Sequence, residues 1–300
     1  VVLEERRMRI DNSPAALLDE VASERLFGRN QPYGMPISGT VADVEALTLA
    51  DLMEFYRLHY MPNNAILIVG GDTTTEQVRG LAEKFYGPIP ARPVAPRHRP
   101  DHGAVDLPQT VSRADVRVVE PRWTRHYLAP SYNKGETRHA YALQVLAQLL
   151  GGTETSRLWR ALVVDGKRAL SVWAGYRANS LGLTSFDIGV HPAASVTMAE
   201  VENAVAAELE RVTDGGVTTA EVERAQNQAL AAAIYSQDSL QSGPRIFGGA
   251  LSTGSTVADV AAWPERISAV RPDEIVAAAR HVWQPSRLVT ALLTPPSGSR

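Results

Sequence analysis

The chain has 300 residues, 44% of them hydrophobic and 21% charged, a size that predicts two domains, each large enough to bury its own core. Acids and bases are interspersed to a formal net charge of -3, with no basic stripe for a phosphate backbone, and the longest strongly apolar run spans only residues 65–69, against the roughly 20 residues of a spanning helix; nucleic acid and membrane are both excluded as partner classes. With no cysteine, thiolate metal sites, disulfides and a cysteine nucleophile are excluded too, while the compartment stays open.

The first residues, VVLEERRMRI, read as helix with no cap in front of them. Ser13-Pro14 then has the form of an N-cap followed by proline at the first helical position, opening a helix to about Leu26. Thr48 and Asp51 form a capping-box pattern before DLMEFYRLHY, in which Leu52, Phe55, Tyr56 and His59 recur at helical spacing. AILIVGGD predicts a strand ending in glycines, and Thr73 with Glu76 predicts the cap of a helix that stops at Gly87. Six prolines between 88 and 108 rule out a helix or central strand there and predict an extended linker. Beyond it, ADVRVVE and RHYLAPSY read as strands, ETRHAYALQVLAQLLGG and SRLWRALVVDG as helices, and ALSVWAGYRA with LTSFDIGVH as a hairpin. Helices dominate from about Thr197 to Trp283, with a Thr218/Glu221 capping box and Pro272 near a helix start, and SRLVTALLTP closes the chain as a strand.

One internal repeat organises these elements. Residues 44–69 lie over 267–292 without a gap, so that Leu52 meets Ile275, Tyr60 meets Trp283, Pro62 meets Pro285 and Ile66 meets Val289. Two copies of a helix, proline turn and strand predict a tandem duplication. The expected fold is α+β: two tandem duplicated α/β-roll domains, each an antiparallel sheet with helices packed on one side. The expected boundaries are 1–90 for the C-terminal part of the first domain, 91–110 for the linker and 111–300 for a complete second domain. By the repeat, the first domain is incomplete by about a hundred residues upstream of Val1, so the chain reads as a fragment.

The seven histidines, at 59, 98, 102, 126, 139, 191 and 281, supply no close pair on a helix, and His98 and His102 flank prolines in the linker. The glycine pairs at 70–71, 151–152 and 248–249 do not fit a phosphate-cradling spacing and read as turns and helix ends. Glu4 shares a helix face with Val1 and Met8, while Arg6, Arg7 and Arg9 are expected to point elsewhere. On its residues alone it reads as a surface glutamate in a salt-bridged helix.

The succession VVLEERRMRIDNSP, LFGRNQPYGMPISGT, VEALTLADLMEFYRLHYMPNNAILIVGGD, GPIPARP and LLGGTETSRLWRAL resembles the insulinase/pitrilysin family of zinc peptidases and mitochondrial-processing-peptidase-like proteins. The resemblance implies a zinc endopeptidase subunit. Two histidines of an inverted His-x-x-Glu-His motif, together with its general-base glutamate, would lie upstream of residue 1, and Glu4 would be the third zinc ligand, with Glu5 a less direct neighbour. The family's substrate-gripping arginine and tyrosine fall on Val163 and Leu170, both apolar, so these are expected to be packing residues. Arg160, Arg168 and Tyr176 are the nearby substitutes. The pattern resembles the zinc-bearing partner of a heterodimer whose homologous subunit carries the Arg/Tyr pair, with peptide substrates in a two-halved chamber and, for a bacterial member, a periplasmic location. The alternative is a non-catalytic core or scaffold subunit of the same fold.

Overall fold

Threonine sets half of the α-helix starts. In the computed structural model, which describes residues 1–97, 99–100 and 108–296, six helices open on a threonine capping box, in which the hydroxyl accepts from the third helical N–H and that residue's side chain returns to the threonine N–H. Helix α1 covers Val2–Arg6 and runs into a π-turn at Arg7–Asp11; α2 covers Pro14–Phe27 behind the Ser13 cap. Helices α3 (Val41–Ala46), α4 (Leu49–His59) and α5 (Thr75–Phe85) follow. The cap of α5 is Thr74 with Gln77 rather than Thr73 with Glu76, because the Gln77 amide oxygen reaches the Thr74 N–H at 3.1 Å and takes the Thr73 hydroxyl at 3.2 Å as well.

The sheet is built from β1 (Gln109–Ala114), β2 (Arg122–Ala129), β3 (Ala169–Tyr176), β4 (Thr184–Pro192) and β5 (Leu288–Thr294), in the order β1-β5-β2-β4-β3. Only the β1/β5 pair is parallel. Helix α6 (Ala140–Gly151) and a π-helical segment at Trp159–Asp165 precede the β3/β4 hairpin; α7 (Met198–Gly215), α8 (Thr219–Ser236), α9 (Ser242–Ser252), α10 (Val257–Ala261), α11 (Trp263–Ser268) and α12 (Pro272–Val282) come after it. The larger core joins one sheet face, through Trp123, Tyr127, Phe186 and Ile188, to Leu143 and Leu146 of α6, Val205 of α7 and Ile275 of α12.

The opposite face receives α2. Leu18, Ala22 and Leu26 lie 3%, 1% and 1% exposed against Val289, Ala291 and Leu293 of β5 and Leu128 of β2. Alternate residues of β5 thus serve the two faces, and burial of each leucine is worth roughly 2 kcal/mol. Arg122 of β2 donates to the Asp19 carboxylate, which fixes the helix along its length.

The repeat is visible in the element bounds. Adding 223 carries Leu49–His59 onto Pro272–Val282, and the 3-10 turn Pro62–Asn64 onto Pro285–Arg287. The copies part at the next step. Leu288–Thr294 is a strand, whereas residues 65–69 form no strand, with Ile66, Leu67 and Val69 about half exposed. A strand exists only through its ladder, and no described strand lies beside this one; the segment rests instead on α9, where a Cβ on Gly70 would stand 2.9 Å from Pro244 Cγ.

Two further expectations are corrected. ADVRVVE is a turn, because the Asp115 carboxylate accepts from the Arg117 N–H at 3.1 Å and from its guanidinium at 2.8 Å, leaving Val116 and Val119 exposed. The strand lies earlier and begins at Gln109, inside the expected linker. Gly248 and Gly249 sit within α9, not at a turn; a Cβ on Gly248 would touch Ile68 at 3.7 Å, so small residues here let α9 approach residues 65–69.

Candidate functional site

Glu4 stands on α1, one residue after Leu3 and two before Arg6, and those neighbours determine its setting. Arg6 is 8% exposed. Its guanidinium donates to both carboxylate oxygens of Glu20 on α2 at 3.1 and 3.0 Å and to the Gly39 carbonyl at 3.0 Å, and lies 3.3 Å from Asp11. A bidentate fork of this kind fixes direction as well as distance. The helix is clamped by Arg6 while the Glu4 side chain, 71% exposed, is left facing solvent. Arg7 does not point elsewhere as expected: its Nη1 donates to Glu4 Oε1 at 2.6 Å, an i,i+3 pair, and Arg9 pairs with Glu5 at 3.2 Å.

The described residues do not make a zinc centre. No group of three histidine or carboxylate side chains capable of holding a metal occurs among them, whereas a catalytic zinc needs three protein ligands. Glu4 supplies one carboxylate and belongs to no such group of three among the described residues. His98 and His102 lie outside the described residues.

Val163 sits in the π-helical segment and packs against the larger core. Leu170 does not pack: it is 56% exposed and falls at the irregularity in the β3/β4 register between Ala169 and Ser171, where the extra residue is turned out of the ladder. Tyr176 is engaged, its hydroxyl donating to the Pro130 carbonyl at 2.6 Å, and burial pushes its ionisation well above the ordinary range. Arg160 and Arg168 line a cleft at the helical surface together with Arg157, Glu208 and Glu221. Both segments that the resemblance marks, around Glu4 and around Val163, run into π-helical turns, closed by the Asn12 N–H to the Arg7 carbonyl and the Gly166 N–H to the Ala161 carbonyl. Such turns are frequent at functional sites.

Spacing in the sequence could not reveal two histidine arrangements. His126 Nδ1 lies 2.8 Å from Asp187 Oδ1 across the β2/β4 pair, and Ser185 donates to the other carboxylate oxygen. His139 and His281, at the ends of α6 and α12, stack with ring centroids 4.8 Å apart. Burial pushes both below the ordinary value of 6.5, reinforced for His139 by the facing His281 and by Arg138, and for His281 by Arg287 and Arg138, with Glu136 opposing. A depressed histidine contributes stability that is present above the unfolded value and lost as pH falls toward the folded one, since the unfolded chain then binds the proton first. The urea midpoint is therefore expected to fall as pH drops below about 6.5, and His281→Gln to flatten that first part of the acid slope. Identical slopes for variant and wild type would remove the pair from the acid response.

Comparison with known proteins settles the family. A family model described as the peptidase M16 inactive domain matches residues 46–229. The chain belongs to peptidase family M16, the insulinase/pitrilysin family. It is 28% identical over 314 residues to a Mycobacterium tuberculosis protein named uncharacterized zinc protease Rv2782c, with 100% of the chain and 67% of that protein aligned. It is 29% identical over 237 residues to zinc protease PqqE of Helicobacter pylori, covering 75% of the chain and 50% of the relative. The chain thus spans from half to about two thirds of the length of these M16 relatives. A Helicobacter pylori protease structure superposes on 98% of the chain and 70% of that structure with a TM-score of 0.81 at 23% identity, and a peptidase M16 inactive domain from Pseudomonas fluorescens on 100% and 71% with 0.79 at 15% identity. Both likenesses are of fold. The matched domain is of the type called inactive, and the relatives are named zinc proteases.

Proposed function

We propose that this M16 chain is the larger part of a zinc endopeptidase subunit in which Glu4 contributes one carboxylate to the zinc, the two histidines and the general-base glutamate being carried by a segment N-terminal to Val1. The observation that carries the reading is the Arg6 clamp. It holds α1 against α2 and leaves the Glu4 carboxylate outward, paired among the described residues with the exposed Arg7. A ligand presented on a fixed element meets the precision that a metal site demands. The names of the relatives support zinc as the metal.

In this reading peptides enter between two clam-like halves and add as a strand to a sheet edge, where backbone hydrogen bonds supply affinity. Val163 and Leu170 offer no hydrogen bond to a peptide, so the Arg/Tyr grip belongs to a homologous subunit and the working enzyme is a heterodimer. A bacterial periplasmic location and the division at 1–90, 91–110 and 111–300 are part of the same proposal.

The test uses a chain extended by the segment that the relatives carry beyond this match. In that protein Glu4→Gln is expected to lower zinc affinity by more than the roughly hundredfold that loss of a supporting residue costs, with retained helicity and lost peptide hydrolysis. Unchanged zinc content would remove Glu4 from the set. A second reading, a non-catalytic scaffold subunit, is favoured by the apolar Val163 and Leu170 and by the inactive type of the matched domain. It predicts that the extended wild-type chain itself binds no zinc.

A further inference from the structure

We propose that the cleft between the π-helical segment, α7 and α8 binds a small oligoanion, a molecule carrying two or more phosphoryl or carboxylate groups. The cleft measures about 560 Å³, inside the range of small-ligand sites. Its room comes from alanines at 161, 204, 207 and 225, where longer side chains would fill it.

Its charge is divided into a satisfied floor and an unsatisfied rim. At the floor Arg157 donates to both Glu221 oxygens at 2.7 and 2.9 Å and to the Gly216 carbonyl at 3.1 Å, while Arg211 donates to the buried Glu208. At the rim Arg160 of the π-helical segment, Arg168 of the loop before β3 and Arg224 of α8 form no ion pair or hydrogen bond through their guanidinium groups among the described residues. None of the three reaches ion-pair distance of a carboxylate among the described residues, although Arg168 acts electrostatically on Glu200 and the Asp165 carboxylate also lines the cleft. The Arg168 guanidinium lies near Gly166, where a Cβ would stand 3.2 Å from its Nη1, and the side chain is exposed at the cleft rim.

A second observation points the same way. Ser156 lines the cleft, is 5% exposed, and among the described residues its Oγ has no hydrogen-bond partner. A buried hydroxyl left unpaired costs free energy that a bound acceptor recovers. Guanidinium forks match phosphate and carboxylate oxygens bidentately, and the hydroxyl adds a donor at depth. The site is separate from Glu4 and does not depend on zinc.

The experiment is calorimetric titration of the chain with tripolyphosphate and, separately, with citrate, which distinguishes a phosphoryl from a carboxylate source. Binding is expected for at least one, weakening with added salt. Arg160→Ala, Arg168→Ala and Arg224→Ala should each weaken it about tenfold, the equivalent of one charge-assisted hydrogen bond, and Ser156→Ala should weaken it without altering the salt dependence. The rim arginines are exposed, and unchanged thermal unfolding of those variants checks that the fold is intact. No heat with either anion at millimolar concentration would overturn the proposal. So would equal affinity in the triple arginine variant, or binding of an acidic peptide with neither small anion bound.

Discussion

Replacing Arg157 with alanine is expected to destabilise the chain by about 3 kcal/mol, because it removes one partner from a buried ion network and strands the others. Arg157 belongs to the SRL stretch that resembles the family, yet its work is structural. It closes the start of α8 onto the π-helical segment through a bidentate pair with Glu221, which also serves as the return side chain of the Thr218 capping box, and it lies 3.8 Å from Glu208. Glu208 is 5% exposed, and without Arg157 only Arg211 offsets its burial. Arg157→Lys keeps the charge and loses the fork, so a loss nearer 1 kcal/mol is expected. The acid behaviour supplies a second readout. The Arg157 hydrogen bonds pull the Glu221 carboxyl from 4.5 down to about 2. A depressed carboxyl contributes stability that is present above its unfolded value and lost as pH falls toward the folded one. The gap between wild type and Arg157→Ala should therefore narrow on acidification from about pH 4.5 toward 2. Urea denaturation at neutral and acid pH measures both, and a neutral-pH loss under about 1 kcal/mol would mean that the network is a solvated surface cluster.

Local chemistry was legible in the residues, and pairing across the chain was not. Thr48 with Asp51 and Ser13 with Pro14 place helix starts by themselves, since a cap is satisfied within four residues. The repeat placed α4 and α12 together, because two copies of one segment share one local preference. It failed at residues 65–69 for the reason that β5 succeeds: Leu288–Thr294 has β1 and β2 on either side, and the aligned apolar segment, with no described strand beside it, forms no ladder. Asp115 diverted ADVRVVE into a turn through side-chain bonds that no alternation of apolar residues announces. The same holds for the sites. Glu4 was singled out through resemblance alone, and the Arg6 clamp of its helix spans α1, α2 and the Gly39 turn. The stacked His139 and His281 and the three rim arginines of the cleft come together only when separate elements pack.

Gly151→Ala is expected to cost about 3 kcal/mol, at the upper end for one added methyl group in a packed interior. On an exposed helix the same change would gain up to about 1 kcal/mol from helix propensity. The sign reverses because Gly151 ends α6 where the helix meets β3. A Cβ there would stand 2.2 Å from the Ala174 nitrogen, 2.6 Å from the Trp173 carbonyl carbon and 2.9 Å from the Ala174 Cβ. Two of those atoms are backbone within a hydrogen-bonded strand, so no rotamer change makes room and α6 must move off the sheet. That helix carries Leu143, Leu146 and Leu150, each 0% exposed, and a shift loosens all three contacts at once. The neighbouring glycine provides the control. The three atoms nearest a Cβ on Gly152 all belong to the Gln148 side-chain amide, the closest at 2.4 Å. That amide can turn away at the loss of its 3.1 Å bond to Gln228, so Gly152→Ala should cost less than about 1 kcal/mol. Urea midpoints of the two variants decide between backbone crowding and a general intolerance of side chains at this helix end: a large gap supports the close helix–strand approach, and equal losses would refute it.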